Sequence, residues 1–521
     1  MNCSRNQVGC AGCSHGLSRR HFLKGLTAMA VTAGVCKGIG AAAPAGSSRR
    51  VRVALVFLGD GKERESWPYP GFDTATRERE IMALLKEKCH GVEFIPVTVA
   101  APGDASKALQ LKEQVDGCLV YAMTLKWNLG GALAEIGKLG KPLLLADEFL
   151  GGCGLFLCSG AALHRAGVAA ARVSSTRASD LAVVARRFAD LRKPGLSPAA
   201  FAQRCEETYR RTFAAQGKSK CLADKVPLTD TSECIKRLKA SRFLIVGAGN
   251  EGREADFLGI KGIYVGFDEF QAAYDKADKD EAAEWGRKWS GLAEKVVEPT
   301  PEWIAKAGAM YLAMLQVMKQ HGTDSITMNC LGGFNAGKIT AYPCLGFRQI
   351  LDDGGQGVCE AMPDDSVSSL MARALTGRPG YVSDPTLDTS RNWIVYAHCM
   401  ATTKVFGPQG AACRFRIRTL HNRDPRGTCA QSFLPKGYMT TSFRTNVARK
   451  KMVIHRAKAV GNLDRDRGCR TQLVGEVQGD IAKLFDQWDQ FGWHRVTVYG
   501  DLLEPLTELG KALGLEVIKE T

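Results

Sequence analysis

From residue 51 onwards, short apolar runs alternate with longer stretches in which apolar positions recur every three or four residues. The runs 51–58, 92–99, 117–123 and 142–147 are mostly apolar and strand-like, and the stretches between them carry the helical period. This rhythm predicts a doubly wound parallel sheet over residues 50–215. It breaks in the charged, irregular segment 218–241 and restarts with a strand at 242–246. Helical patterns follow at 282–296 and 302–320, then a strand at 325–329 leading into a glycine-rich loop, which predicts a second α/β domain over 216–391. After Asn392 the apolar runs shorten while threonines and turn residues multiply. The expectation there is a β-rich domain, 392–521, with a helix at 477–491, a strand at 494–499 and a helix at 503–513.

The N-terminus has a different character. Ser18-Arg19-Arg20-His21-Phe22-Leu23-Lys24 precedes an apolar stretch, 25–35, that is too short to span a bilayer, and Ala41-Ala42-Ala43-Pro44-Ala45 supplies the small residues of a cleavage site. Residues 1–45 therefore read as a twin-arginine signal peptide, with the export machinery as a partner, a periplasmic or otherwise exported location, and no stable membrane insertion. A route that carries folded proteins suits a chain loaded with metal before export, because affinity alone favours the wrong transition metal.

The 521 residues are 45% hydrophobic and 24% charged, ordinary for a globular protein. Of the formal charge of +16, five units belong to Arg5, Arg19, Arg20, Lys24 and Lys37 within the leader, which has no acids, leaving +11 for the remainder. Those basic residues are scattered and lack interleaved aromatics, so a solvated basic surface is expected rather than a nucleic-acid interface. The 18 cysteines have no disulfide-framework spacing. Several sit in strand-like runs, among them Cys118 and Cys399, where a free thiol behaves as a small hydrophobe.

Gly247-Ala248-Gly249-Asn250-Glu251-Gly252 follows a strand and matches a dinucleotide fingerprint in form, with Asp268 as the acid further on. A tight turn is the competing reading. Three stretches together resemble the L-fucose isomerase and L-arabinose isomerase superfamily, and the resemblance covers most of the chain after the leader. The run 244–270 is similar to that family's strand, glycine-rich turn, helix, Leu-Gly (here Leu258-Gly259) and strand. Residues 345–351 followed by Val358-Cys359-Glu360 resemble its helix, loop and glutamate-bearing strand end. Trp493-His494-Arg495-Val496-Thr497-Val498-Tyr499-Gly500-Asp501 is similar to the segment in which a histidine opens a strand ending in Tyr-Gly.

The resemblance implies an α/β fold with two doubly wound parallel-sheet domains and a C-terminal β-rich domain, a divalent cation (manganese), a sugar substrate and a homo-oligomer. It implies aldose-ketose interconversion through an enediol, with Glu360 and His398 as catalytic groups and Glu360, His398 and His494 as metal ligands. This sequence departs from the family at two carboxylate positions, occupied here by Arg348 and Met362, while Asp352, Asp353, Asp364 and Asp365 lie close by. Asn329, Lys338, Arg348, Asn462 and Arg470 are candidates for binding the sugar. Asp384 and Asp388 read as shaping a loop before the strand at Asn392. An exported carbohydrate-binding protein that keeps the fold without the chemistry is the alternative.

Overall fold

The computed structural model describes residues 49–62, 67–217 and 220–521; the leader reading at 1–45 lies outside them. The first sheet contains β1 (Val51–Leu58), β2 (Val92–Val99), β3 (Gly117–Ala122), β4 (Leu143–Asp147) and β5 (Ala170–Val173) in the order β2-β1-β3-β4-β5, all parallel. The strands β3 and β4 are buried throughout, whereas the edge strand β2 is largely half-buried or exposed. That is why the central strands read as continuous apolar runs.

The second sheet is built from β6 (Arg242–Val246), β7 (Glu254–Phe257), β8 (Ile260–Val265), β10 (Ser325–Met328) and β11 (Gln356–Cys359), while the short β9 (Lys295–Val296) pairs elsewhere. Its order is β11-β10-β6-β8-β7, parallel except for β7. The helix expected between the glycine-rich turn and Leu258 is absent, because residues 254–257 are β7, joined to β8 by a turn in which Leu258 and Gly259 both have positive φ (60° and 84°). A pyrophosphate is held at the N-terminus of the helix that follows the glycines. Here a strand follows them, so the glycine string serves as a turn.

The third region contains β12 (Tyr381–Asp388), β13 (Trp393–His398), β14 (Phe415–Arg418), β15 (Cys429–Ser432), β16 (Met439–Asn446), β17 (Lys451–Asn462), β18 (Thr471–Gln478), β19 (Arg495–Tyr499) and β20 (Glu516–Lys519). Seven of these run in the order β16-β19-β12-β13-β18-β17-β20, and β16 also pairs with β17. Six antiparallel strands thus close into a ring, which leaves them no free edge, and β20 docks parallel to β17. The strand β12, read with the second domain from sequence, belongs to this ring. A small sheet, β15-β14-β9, joins the third region to the second.

The helix expected at 477–491 is instead the end of β18, a 3-10 turn (Ile481–Phe485) and a short helix (Trp488–Phe491), separated by Gly479 at φ 113°. Val477, Ile481, Leu484 and Trp488 are all buried. Their spacing matches a helical stripe, but it is satisfied by two short turns and a strand end packed on one core.

One network fastens the first domain to the third region, and a second ties the third region together. Glu148 accepts hydrogen bonds from Arg77 (2.6 Å) and Tyr121 (2.7 Å) of the first domain and from Arg467 (2.6 Å) of the third. Within the third region, Arg495 donates to both oxygens of Glu520 (2.8 and 2.9 Å) and lies 3.9 Å from the ring centroid of Trp488, while His455 contacts Glu520 (2.9 Å) and Tyr396 (2.7 Å). Burial alone would raise the Glu520 carboxyl, but Arg495 and His455 hold it down at about 2.

This depression stabilises the fold fully above the ordinary glutamate value of 4.5 and is lost as pH falls towards about 2. It amounts to about 3 kcal/mol. Glu520→Gln is expected to destabilise the protein by about 3–5 kcal/mol, since it leaves Arg495 buried without its counter-charge. It should also flatten the acid limb of the stability profile measured by urea unfolding. An unchanged acid limb would remove Glu520 from this role.

Candidate metal and catalytic site

The strand β11 ends at Cys359, and the chain then takes two consecutive non-glycine residues through left-handed backbone, Glu360 (φ 68°) and Ala361 (φ 50°). Such conformations cost roughly 1–3 kcal/mol each and persist only where the surroundings fix them. Here the Thr327 hydroxyl accepts from the Met362 N–H (3.1 Å) and contacts the Cys359 carbonyl (3.4 Å), bracing the turn. The helix Pro363–Thr376 follows at once and carries Asp364 and Asp365 in its first turn, where acids favour the helix dipole.

The barrel meets this turn with three side chains. Register pairs Ser383 of β12 with Arg495 of β19 and Asp384 with Ala397 of β13. Extending it by one residue puts Asp384 opposite His494 and brings His398, at the end of β13, alongside. The His494 ring is 3% exposed and bound at both nitrogens: Nδ1 lies 2.5 Å from Asp365, and Nε2 lies 3.1 Å from Asp384 and 3.6 Å from Glu360. The two histidine rings are edge to face at 5.6 Å. Asp384, expected in a loop, is thus a barrel-wall residue facing the histidines. Its neighbour Pro385 and the following Asp388 give the strand the composition of a turn. Asp388 does perform loop chemistry, accepting from Thr176 (2.7 Å) and Ser390 (2.6 Å).

Burial alone would push the Asp365 carboxyl up, but the Arg444 guanidinium (2.7 Å) and His494 outweigh it and hold it below the usual carboxylate range. Burial opposes a charge on His494, yet Asp365 and Asp384 raise it well above the ordinary histidine value. Glu360 is shifted the other way: burial raises its carboxyl, and His494 only partly offsets this. The His398 Nδ1 accepts the Cys399 backbone N–H (2.9 Å), so a neutral ring carries its proton on Nε2, an atom that is buried with no hydrogen-bond partner.

One donor atom from each of Glu360, His398 and His494 lies within 4.8 Å of the other two, so these residues can hold a metal ion. The donor set fits one in chemical type. With Nδ1 of His494 oriented by Asp365, Nε2 is the atom left for a ligand bond, the carboxylate–histidine–metal pattern. Carboxylate oxygens with imidazole suit manganese and similar divalent ions.

The remaining residues singled out from sequence lie on other contacts. Asn329 caps the helix Cys330–Asn335 through the Gly332 N–H (3.2 Å) and donates to the Gly247 carbonyl (3.2 Å). Lys338 is exposed. Arg348 pairs with Asp352 (2.9 Å) and lies over Phe415 (4.8 Å), while Asp352 accepts from Thr402 and Thr403 (2.6 Å each). Met362 precedes the helix Pro363–Thr376 as its N-cap. Asn462 both accepts from and donates to the Leu434 backbone (3.0 and 2.8 Å). Arg470 donates to the Thr419 and Leu420 carbonyls (2.7 and 3.1 Å). Arg444 was not foreseen, and no sequence signal marks it, since it reaches Asp365 from across the ring.

The fold and site define an α/β protein with two parallel-sheet domains, a β-rich C-terminal region and a carboxylate–histidine cluster where the second and third regions meet. No family model matches the chain. Over 257 residues it is 23% identical to the sulfoquinovose isomerases of Priestia aryabhattai and Priestia megaterium (strain ATCC 12872 / QMB1551), over 48% of this chain and 56% of each relative. The chain spans about half the length of the curated relatives it matches. This distant likeness is to sugar isomerases, as the resemblance to L-fucose isomerases leads one to expect.

Because Asp365 and Asp384 raise the His494 imidazole well above its ordinary value, a divalent ion taking Nε2 competes with a proton there. Affinity is expected to tighten as pH rises, by up to about tenfold per pH unit, with about one proton released per ion. Titration calorimetry with manganese in buffers of different ionisation enthalpy reads both quantities. Asp365→Asn should weaken binding about 10–100-fold. Affinity unmoved by pH and by this substitution would show that the ion is held elsewhere.

Proposed function

We propose that the protein is a metal-dependent sugar isomerase that interconverts an aldose and a ketose through an enediol, in an exported compartment reached by the twin-arginine route. The observation that carries this reading is a carboxylate raised by burial, Glu360, next to an oxygen-and-imidazole donor set. His494, oriented by Asp365, would hold a divalent cation together with Glu360, and Asp384, 3.1 Å from the His494 Nε2, would take the place in this set of His398, whose Nε2 carries the proton. That cation supplies electrostatic stabilisation to the sugar oxygens as negative charge develops.

The protein's own groups do the rest. Glu360 takes the proton from the carbon beside the carbonyl and returns it to the neighbouring carbon. A carboxyl shifted towards neutrality suits both halves of that transfer. The buried Nε2–H of His398, which has no hydrogen-bond partner among the described residues and lies 4.0 Å from Asp384, donates to a sugar oxygen and fixes which carbon faces Glu360. Among the described residues no helix is long and apolar enough to cross a membrane, which fits a protein that works free of the bilayer.

The relatives' name makes sulfoquinovose the first sugar to test, beside a panel of neutral aldoses. Manganese-loaded protein is expected to interconvert one aldose with its ketose, followed by NMR. Glu360→Gln should lower kcat about 10²–10⁴-fold while sugar affinity is retained. Loaded protein that binds sugars without interconverting any of them would sink the enzyme reading in favour of a carbohydrate-binding protein.

A further inference from the structure

Beside this site, on different side chains, four thiol and imidazole groups converge. Cys399 follows His398, His421 lies in the loop after β14, Cys429 opens β15, and Cys469 shortly precedes β18. One donor atom from each of Cys399, His421 and Cys469 lies within 4.8 Å of the other two. The Cys469 thiol meets Nδ1 of His421 at 3.5 Å, and Cys429, beside Cys399, donates its thiol to the Thr419 carbonyl (3.4 Å). All four residues are buried, and every described cysteine is a free thiol.

An apolar role accounts for thiols such as Cys118 on β3, which sits within a buried hydrophobic strand. It does not account for three sulfurs and an imidazole nitrogen brought together from four separate segments. Donors about 2.0–2.3 Å from one tetrahedral centre stand roughly 3.5–3.8 Å apart, the scale of the Cys469–His421 spacing. The surroundings are also built for rigidity and charge. Arg470, next to Cys469, ties down the backbone before His421 by donating to the Thr419 and Leu420 carbonyls, and its guanidinium acts electrostatically on Cys429. Three thiolates and a neutral imidazole on a divalent ion carry one net negative charge, which Arg470 offsets.

We propose that Cys399, Cys469 and His421, joined by Cys429 once its thiol turns from the Thr419 carbonyl, form a structural Cys3His site for zinc, distinct from the carboxylate–histidine site. On binding, three thiol protons pass to solvent and four ligand bonds form, with no change of oxidation state. Soft thiolates select zinc while the neighbouring oxygen-rich set suits manganese, so ligand chemistry sorts two ions into adjacent sites. Anchoring Cys399 also fixes the backbone N–H that sets the tautomer of His398.

The test is metal analysis of the full chain and three variants after dialysis against zinc. One zinc per chain is expected in the parent and in His494→Ala, and a loss of at least tenfold in zinc content in Cys469→Ser and Cys399→Ser. X-ray absorption of the unmutated zinc protein should show three sulfurs and one nitrogen, and cobalt substitution should give the intense visible bands of tetrahedral thiolate coordination, even if a cysteine variant does not fold. The proposal is overturned if the chain takes up no zinc, if zinc is lost with His494→Ala and kept in the cysteine variants, if the sulfurs are absent from the coordination shell, or if mass spectrometry finds Cys399 and Cys469 joined as a disulfide.

Discussion

A carboxylate with no solvent contact must find its counter-charges inside the protein, and Asp365 finds them across a domain boundary. Its helix belongs to the second α/β region, whereas Arg444 and His494 belong to the barrel. Removing either partner leaves a buried charge uncompensated, a loss on the order of 3–5 kcal/mol. The same carboxylate determines which nitrogen of His494 faces Asp384 and Glu360. One interaction thus both docks the two regions and orients the site.

The strained turn at Glu360 and Ala361 follows from that docking. A side chain leaving β11 in ordinary extended backbone would continue the alternation of the strand. Two left-handed residues turn the chain sharply, letting the next helix begin within a few residues and place Asp365 under the barrel. The turn is tolerated because Thr327 braces it from the adjacent strand and the helix behind it is buried almost along its whole length.

Much of the scaffold was legible in the sequence, because strands covered on both faces must be apolar throughout. The runs at 51–58, 92–99 and 242–246 coincide with strands. The stripe at 477–491 misled because packing on one core imposes helical spacing on a strand end and two turns alike. The glycine string misled because a tight turn can open a hairpin as readily as a helix. Glu360 and His494 were recognisable from flanking residues, and the structure brings them together. Asp384 was hidden by a neighbouring proline, and Arg444 and the cysteine cluster by distance along the chain. Only the closed ring makes neighbours of residues from β12, β13, β16 and β18. Cys399, His421, Cys429 and Cys469 come from beside the ring strands β13 and β18 and from the separate β15-β14-β9 sheet, so no metal-binding spacing marks them.

Ring closure also governs when the site can exist during synthesis. The strand β19 joins β12 to β16, and Glu520, which follows that strand in the chain, neutralises Arg495 at its start. His494 therefore reaches Asp365 and Asp384 only once β19 has been made, long after both α/β regions have emerged. A nascent chain offers incoming ions separate donors and no assembled site.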